Sequence, residues 1–410
     1  MVLKVAVSPD MMGGDVDEGF GKVADVFRAN LASGREVGSA VAVYHGGKKV
    51  VDLWGGYRNG LTREPWQADT MVNMFSTTKG ISALTVAAAA SRGLLSFDAT
   101  VSEYWPEFAQ AGKGAVTVRQ LLAHQAGLCA LDPAPTLRDV SDPARLSPML
   151  AAQPPAWPPG TRQGYHAITL GWYQSELIRR TDPAGRTLGQ FLAQEIAGPA
   201  GLDLHIGVPD DVDRARIAHL HNWKRPETLR HLHEMPPGFV AVALNPFGLS
   251  ARATSMPSDV NPWGGDYNRD AVRAVEMPSS NGHGTARAVA QLYGGAVTGA
   301  EQPGLSSDVL EALAAPPVTP SRSSRDKVLN VQTAYSLGFS KPKAPFVFGS
   351  SDKAFGTAGF GGSFGFADPD TGTGFAYVMN RLGFHLFSDP RELALRKAVF
   401  EDALGARPQT

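Results

Sequence analysis

Apolar and polar positions alternate along "SAVAVYHGGKKVVDLWGGY", residues 39 to 57, and the two β-type runs meet at Gly46-Gly47. A Gly-Gly pair between alternating runs is the signal of a two-residue hairpin, so an antiparallel sheet is expected to begin there. From about residue 76 the period becomes helical. "STTKGISALTVAAAASRG" is apolar nearly all round and stops at Gly93, and "TVRQLLAHQA", Thr117 to Ala126, has apolar positions at helical spacing. Residues 130 to 163 hold too many prolines for regular sheet or a long helix and are expected to form a long surface excursion. Helical patterning returns at residues 168 to 180 and 187 to 197, and a poorly patterned stretch follows to about residue 280. Residues 363 to 381, "SFGFADPDTGTGFAYVMNR", then read strand, turn, strand. An amphipathic helix from about Pro390 to Leu404 closes the pattern.

Strands at both ends with helices between them predict an α+β architecture, an antiparallel sheet flanked by helices with a mostly helical insertion. Residues 1–75 and 280–410 would form the α/β domain, and residues 76–279 the helical one with its long Pro-rich loops. The chain of 410 residues is 43% hydrophobic and 19% charged, enough to bury a large core. Its net charge of −1 gives no field that would draw it to nucleic acid or anionic lipid. No apolar run reaches membrane-spanning length and the first residues do not read as a secretory signal, so a cytoplasmic protein without a membrane partner is expected. One cysteine, Cys129, excludes an internal disulfide and a thiolate-held metal, and it is expected to pack as a small hydrophobe. Oligomeric state is not legible from the pattern.

Candidate chemistry sits at the mouth of the apolar helix. At i and i+3, Ser76 and Lys79 share a helix face with Cβ atoms roughly 5 to 6 Å apart, within reach of a proton transfer. A hydroxyl becomes a nucleophile when a neighbouring base takes its proton, and a lysine serves only when uncharged. Desolvation or a cationic neighbour would lower its pKa enough. The same spacing recurs at Ser324/Lys327, Ser340/Lys343 and Ser350/Lys353. Only Ser76 opens a long hydrophobic helix, whose first N–H groups would face a developing oxyanion.

"FSTTKGISALTVAAAASRGLLSFDATVSEYWPEF" followed by "VTVRQLLAHQAGL" resembles the serine β-lactamase-like superfamily, in particular class C β-lactamases and the family VIII carboxylesterases. The resemblance implies a β-lactamase/transpeptidase-like fold with Ser76 as nucleophile. The family's second element is Tyr-x-Asn after a Pro-Gly turn, and "PPGTRQGYHAITLGW" supplies Tyr165 there, with Ala167 in place of the asparagine. The third reads Lys-Thr-Gly in β-lactamases and often His-x-Gly in esterases, and "FGTAGFGGSFGFADP" offers Thr357, Ala358 and Gly359. With Thr357 and Ala167, the two polar grips on a β-lactam's carboxylate and amide are missing, which favours a neutral acyl ester as substrate. The implied mechanism has Ser76 attack the ester carbonyl while Lys79 or Tyr165 takes its proton, with the oxyanion between the backbone N–H groups of Ser76 and Phe360. Ala358, Gly359, Thr357 and Ala167 would border the substrate. No cofactor and no metal is implied; the partner is a small-molecule ester. A β-lactamase or DD-peptidase-like amide hydrolase, and a non-catalytic penicillin-recognising protein on the same fold, are the alternatives.

"GGSFG" matches the Gly-x-Ser-x-Gly elbow with Ser363 at its centre, but that motif needs strand, turn and helix. Here strand-like sequence follows, so Ser363 is expected to be structural. His219-Leu220-His221 and His231-Leu232-His233 have a spacing that places two imidazoles on one strand face, yet they are read as surface histidines. His124 is expected to be packed or hydrogen-bonded, and His283 to contact a helix cap. Trp157, Trp223, Phe239, Phe247 and Trp263 are candidate pocket walls.

Overall fold

The computed structural model describes residues 5–223, 230–261, 265–299 and 303–407. Trp263 lies outside the described residues. The main antiparallel sheet contains β1 (Met12–Val16), β2 (Gly38–His45), β3 (Lys48–Asn59), β4 (Tyr335–Ser336), β5 (Phe339–Ser340), β6 (Phe355–Ala358), β7 (Phe364–Asp368) and β8 (Thr373–Met379) in the order β1-β3-β2-β8-β7-β6-β5-β4, with Glu64–Pro65 pairing on β3. Strands distant in sequence therefore meet at β2 and β8, where Ser39 faces Met379 and His45 faces Thr373. The β2–β3 hairpin turns at Gly46 and Gly47, both at positive φ, as the Gly-Gly signal predicts.

Helix α1 (Gly21–Ala32) packs on β3 and on α5 (Pro390–Lys397), α4 (Ala286–Thr298) packs on β8, β2 and β7, and α2 (Thr77–Ser91) packs on α3 (Thr169–Thr181). Helix α2 is buried through its first 13 residues, because it lies between β6 on one side and α3 on the other. A helix covered all round needs the uncharged, alanine-rich sequence seen here. A second sheet of Val72–Asn73, Gly282–Gly284 and Leu204–Ile206 crosses just before α2.

Several expectations need correction. Helical spacing runs from Thr117 to Ala126, but the α-helix covers only Val118–Leu122, since His124 adopts a left-handed backbone (φ 59°) that ends it. The Pro-rich stretch, residues 130–163, is only partly on the surface: residues 132–134 and 141–145 are exposed, while Val140 and Trp157 are buried. Ala130 and Leu131 are buried too, and Pro143–Ala152 is a helix that buries Leu146, Leu150 and Ala151. Asp142 caps it and Pro143 takes its first position, where the missing N–H costs nothing. The helix at Leu188–Leu192 passes into a π-turn at Ala193–Ala197, and α5 does the same at Ala398–Ala403.

Candidate active site

The backbone delivers Ser76 by a tight device. Phe75 has a left-handed φ of 44°, and its N–H donates to Oδ1 of Asn73 at 2.9 Å. Asn73 is held in turn by the Ser280 carbonyl (3.2 Å) and the Asn281 side chain (3.1 Å). Asn281 also donates to the carbonyls of Val272, Arg273 and Val275. A left-handed phenylalanine is costly, and these fixed partners compensate for it while aiming the chain into α2 with Ser76 at its N-terminus.

Lys79 is fully buried, with Nζ 3.2 Å from Ser76 Oγ. It donates to the Ala167 carbonyl and, at 3.0 Å, to the Ser279 carbonyl. Burial alone, with no cationic neighbour among the causes, drives its pKa well below the usual lysine value. An uncharged amine has two N–H groups and one lone pair. The two carbonyls take the N–H groups, which leaves the lone pair to accept from the Ser76 hydroxyl.

Tyr165 completes the group. Its ring lies beneath Lys79, 4.7 Å from Nζ to centroid, and the Ser76 side chain favours its ionised form. Burial, and to a smaller degree the nearby Asp326, push its ionisation upward against that opposing effect. Asp326 is itself buried. It accepts from the Tyr165 N–H (3.0 Å), the Val328 and Leu329 N–H groups and the Tyr335 hydroxyl (2.9 Å). The two rings behind Tyr165 belong to His124 and Tyr335.

His124 and His166 stack with their Nδ1 atoms 3.0 Å apart. His166 Nε2 accepts from the Leu128 N–H and His124 Nδ1 accepts from the His166 N–H, so His166 carries its proton on Nδ1 and both rings are neutral. Burial holds the His124 pKa well below its ordinary value and that of His166 down to about 3.

The third segment reaches Ser76 through close backbone contact. A Cβ on Gly359 would stand 2.3 Å from the Met74 carbonyl and 2.2 Å from Ser363 Oγ, so only glycine lets the end of β6 lie against the start of α2. Ser363 is buried, donates to the Met74 carbonyl (2.8 Å) and meets Thr77 Oγ1 at 3.0 Å. It is a stitch between β7 and α2, as its strand context predicts. Phe360 follows, its ring edge-on to Phe75 at 5.4 Å.

The structure thus brings Ser76, Lys79, Tyr165, Ala167, Gly359 and Phe360 together. Ala358 is half-buried beside them, whereas Thr357 is buried near Tyr293 and Gly80, with its side chain in the core. Among the proposed walls, Trp157 is buried with its indole N–H on the Arg162 carbonyl, Phe239 packs on the cluster that contains it, and Phe247 is 91% exposed. His221 is buried and accepts from the Gly60 N–H, so it is not a surface histidine. His283 sits inside a strand, fully buried against the Asn281 carbonyl, rather than at a cap. Among the described residues no group of three or more His, Cys, Asp or Glu side chains can hold a metal ion, and no helix is long and apolar enough to cross a membrane. Sequence reasoning missed Ser279, Asn73, His166 and Asp326. The Ser279 contribution is a main-chain carbonyl, which leaves no trace in residue type.

The family model described as Beta-lactamase matches residues 23–399. Esterase/beta-lactamase LipL of Mycobacterium tuberculosis (strain ATCC 25618 / H37Rv) is 33% identical over 382 residues, which cover 90% of this chain and 83% of that protein. A crystal structure of a family VIII carboxylesterase has a TM-score of 0.82 at 35% identity, covering 94% of this chain and 98% of its own. A penicillin-binding protein homologue from Caulobacter crescentus also has a TM-score of 0.82, at 37% identity, covering 95% and 98%.

Proposed function

The chain belongs to the beta-lactamase family, and from that premise we infer that it is a serine hydrolase of carboxylic esters working through an acyl-enzyme on Ser76. The observation that carries this reading is the fully buried Lys79 amine, 3.2 Å from Ser76 Oγ, with both of its N–H groups taken by carbonyls. Lys79 accepts the Ser76 proton as Oγ attacks the ester carbonyl. The oxyanion lies between the N–H groups of Ser76 and Phe360, at the N-terminus of α2. Tyr165, protonated and packed against Lys79, passes a proton to the leaving alcohol and is restored from Lys79. Water then enters by the same route and releases the acid; an alcohol in its place gives transacylation.

Esters are favoured over β-lactams by two positions. Ala167 offers no side-chain amide, and its carbonyl is engaged by Lys79. Thr357 is buried and brings no cation to a substrate carboxylate. The geometry supports a small-molecule ester partner, and a cytoplasmic setting belongs to the same proposal. Hydrolysis of p-nitrophenyl butyrate beside nitrocefin tests it. Ester turnover is expected to vanish in Ser76→Ala and persist in Ser363→Ala, with nitrocefin cleaved far more slowly. Nitrocefin cleavage outrunning the ester would overturn the preference, and turnover that survives Ser76→Ala would overturn the nucleophile.

A further inference from the structure

Asp326 stands 161 positions along the chain from Tyr165 and is buried against its main chain. Both of its oxygens are in use. Oδ1 accepts from the N–H groups of Val328 and Leu329 at 2.7 and 2.8 Å, and Oδ2 accepts from the Tyr165 N–H at 3.0 Å and the Tyr335 hydroxyl at 2.9 Å. Burial raises the pKa of this carboxyl, and main-chain N–H groups rather than a cation oppose the rise. A carboxylate buried without a counter-ion is costly, so its residue type calls for a reason.

The local turn does not supply one. The bonds to Val328 and Leu329 are of the Asx kind, which asparagine makes as well as aspartate. What asparagine lacks is a second accepting oxygen. Its amide would keep Oδ1 on the turn and set an Nδ2–H against the Tyr165 N–H, donor facing donor. The Tyr165 N–H also passes Oδ1 at 3.2 Å, but two other N–H groups already occupy that oxygen. The Tyr335 hydroxyl can turn and accept from an amide, whereas a main-chain N–H cannot. The carboxylate is therefore specific to Tyr165.

That grip fills a gap in the support of the segment. The Gly164 N–H donates to the His124 carbonyl at 3.0 Å and the His166 N–H to His124 Nδ1 at 2.9 Å, and the Tyr165 N–H between them goes to Asp326. Tyr335, bonded to the same carboxylate, stacks along the Tyr165 ring at 6.1 Å and 19°. Asp326 thus acts on Tyr165 through its main chain and through its ring. We propose that Asp326 is a positioning residue for proton delivery, fixing Tyr165 where its hydroxyl meets the leaving oxygen of the ester. The proposal rests on the esterase reading above, in which Tyr165 gives its proton to the leaving alcohol.

Two esters with one acyl group test it. p-Nitrophenyl butyrate releases a stable anion that needs no proton, whereas ethyl butyrate must have its leaving oxygen protonated. In Asp326→Asn, kcat/KM for ethyl butyrate is expected to fall by roughly 100-fold, the cost of a misplacement of about 1 Å. For p-nitrophenyl butyrate it should stay within about threefold, since no general acid is required. Tyr165→Phe should show the same split, and adding Asp326→Asn to it should cost nothing further, as for two residues that act through one group. Tyr335→Phe keeps the stacked ring and deletes one bond to Asp326; it should move the ethyl-to-p-nitrophenyl ratio in the same direction and serves as the test if Asp326→Asn does not fold. An unchanged ratio in the folded variant, or fully additive losses in the double variant, overturns the positioning role and leaves the esterase intact. Equal losses on both esters in Tyr165→Phe overturn Tyr165 as the proton donor, and absence of Ser76-dependent turnover of either ester overturns the esterase reading itself.

Discussion

At the scale of single residues, the site depends on the proton state of Lys79. A lysine held uncharged by burial accepts a proton; an arginine in its place stays charged at any working pH and cannot. Lys79→Arg is therefore expected to lower kcat/KM for a butyrate ester by roughly 100- to 10,000-fold, the span for loss of a general base, while Ser76 stays in place. The pH profile carries the same information. Because burial shifts Lys79 well down, the deprotonated form is populated well below the ordinary lysine value, and the rate is expected to fall as the pH drops through that lowered value. Tyr165 is shifted up, so its proton is not lost on the alkaline side until well above its ordinary range. A kcat/KM profile with an acid limb near the ordinary lysine value, about 10.4, would contradict this. Ser76, Lys79 and Tyr165 were legible in the sequence because the proposed chemistry lies in their side chains and in the order of the segments that hold them. The Ala167 and Ser279 carbonyls that direct the amine were not, since every residue has one.

At the scale of elements, the junction of β6, the following glycine loop and α2 sets the geometry of the proposed oxyanion site. Gly361 and Gly362 sit at positive φ, and the Gly361 carbonyl accepts from the buried Arg391 at 2.8 Å and from the Gly383 N–H at 2.8 Å. The loop is thus pinned on one side by α5 and on the other by Met74 and Ser363. Gly359→Ala places a methyl group against the Met74 carbonyl, so the loop must withdraw and take the Phe360 N–H with it. A displacement of about 1 Å costs on the order of 100-fold in rate, and kcat for the butyrate ester should fall by about that much with KM little changed. Ser363→Ala removes the stitch and leaves Thr77 Oγ1 short of a partner; it should lower unfolding stability in urea by about 1–3 kcal/mol and leave kcat within a few-fold. A kcat lost in Ser363→Ala and kept in Gly359→Ala would invert this assignment. The strand-turn-strand reading at residues 363 to 381 was legible because period-2 alternation and a Pro-Asp-Thr-Gly turn are local signals. The early stop of the helix at Val118–Leu122 was not, because the left-handed His124 is imposed by His166 and Tyr165, more than forty residues away.

At the scale of the whole molecule, the fold buries imidazoles in the neutral form, and this sets its response to acid. Burial holds His166 and His283 down to about 3 and His221 to about 4, and lowers His124 well below its ordinary value. An unfolded chain protonates each near 6.5. Between that pH and the lowered folded value the unfolded state binds more protons, so stability falls as the pH falls, by up to about 1.4 kcal/mol per pH unit for each histidine. Buried carboxyls work in the opposite direction. Asp326, Glu276, Glu392 and Glu36 are raised by burial; the folded state therefore holds their protons more readily and gains relative stability as the pH falls toward the ordinary carboxylate range. A single substitution isolates one histidine from this mixture. His283 is fully buried, has Nε2 without a hydrogen-bond partner, and touches neither Ser76 nor Lys79. Replacing it with phenylalanine keeps a ring of similar shape and removes the titration. The urea-derived unfolding free energy of His283→Phe, plotted between pH 6.5 and 4, should be shallower than the wild type by up to about 1.4 kcal/mol per pH unit, whatever the offset between the two curves. Parallel curves would mean that His283 takes up its proton equally well folded and unfolded, and that its burial does not hold it neutral.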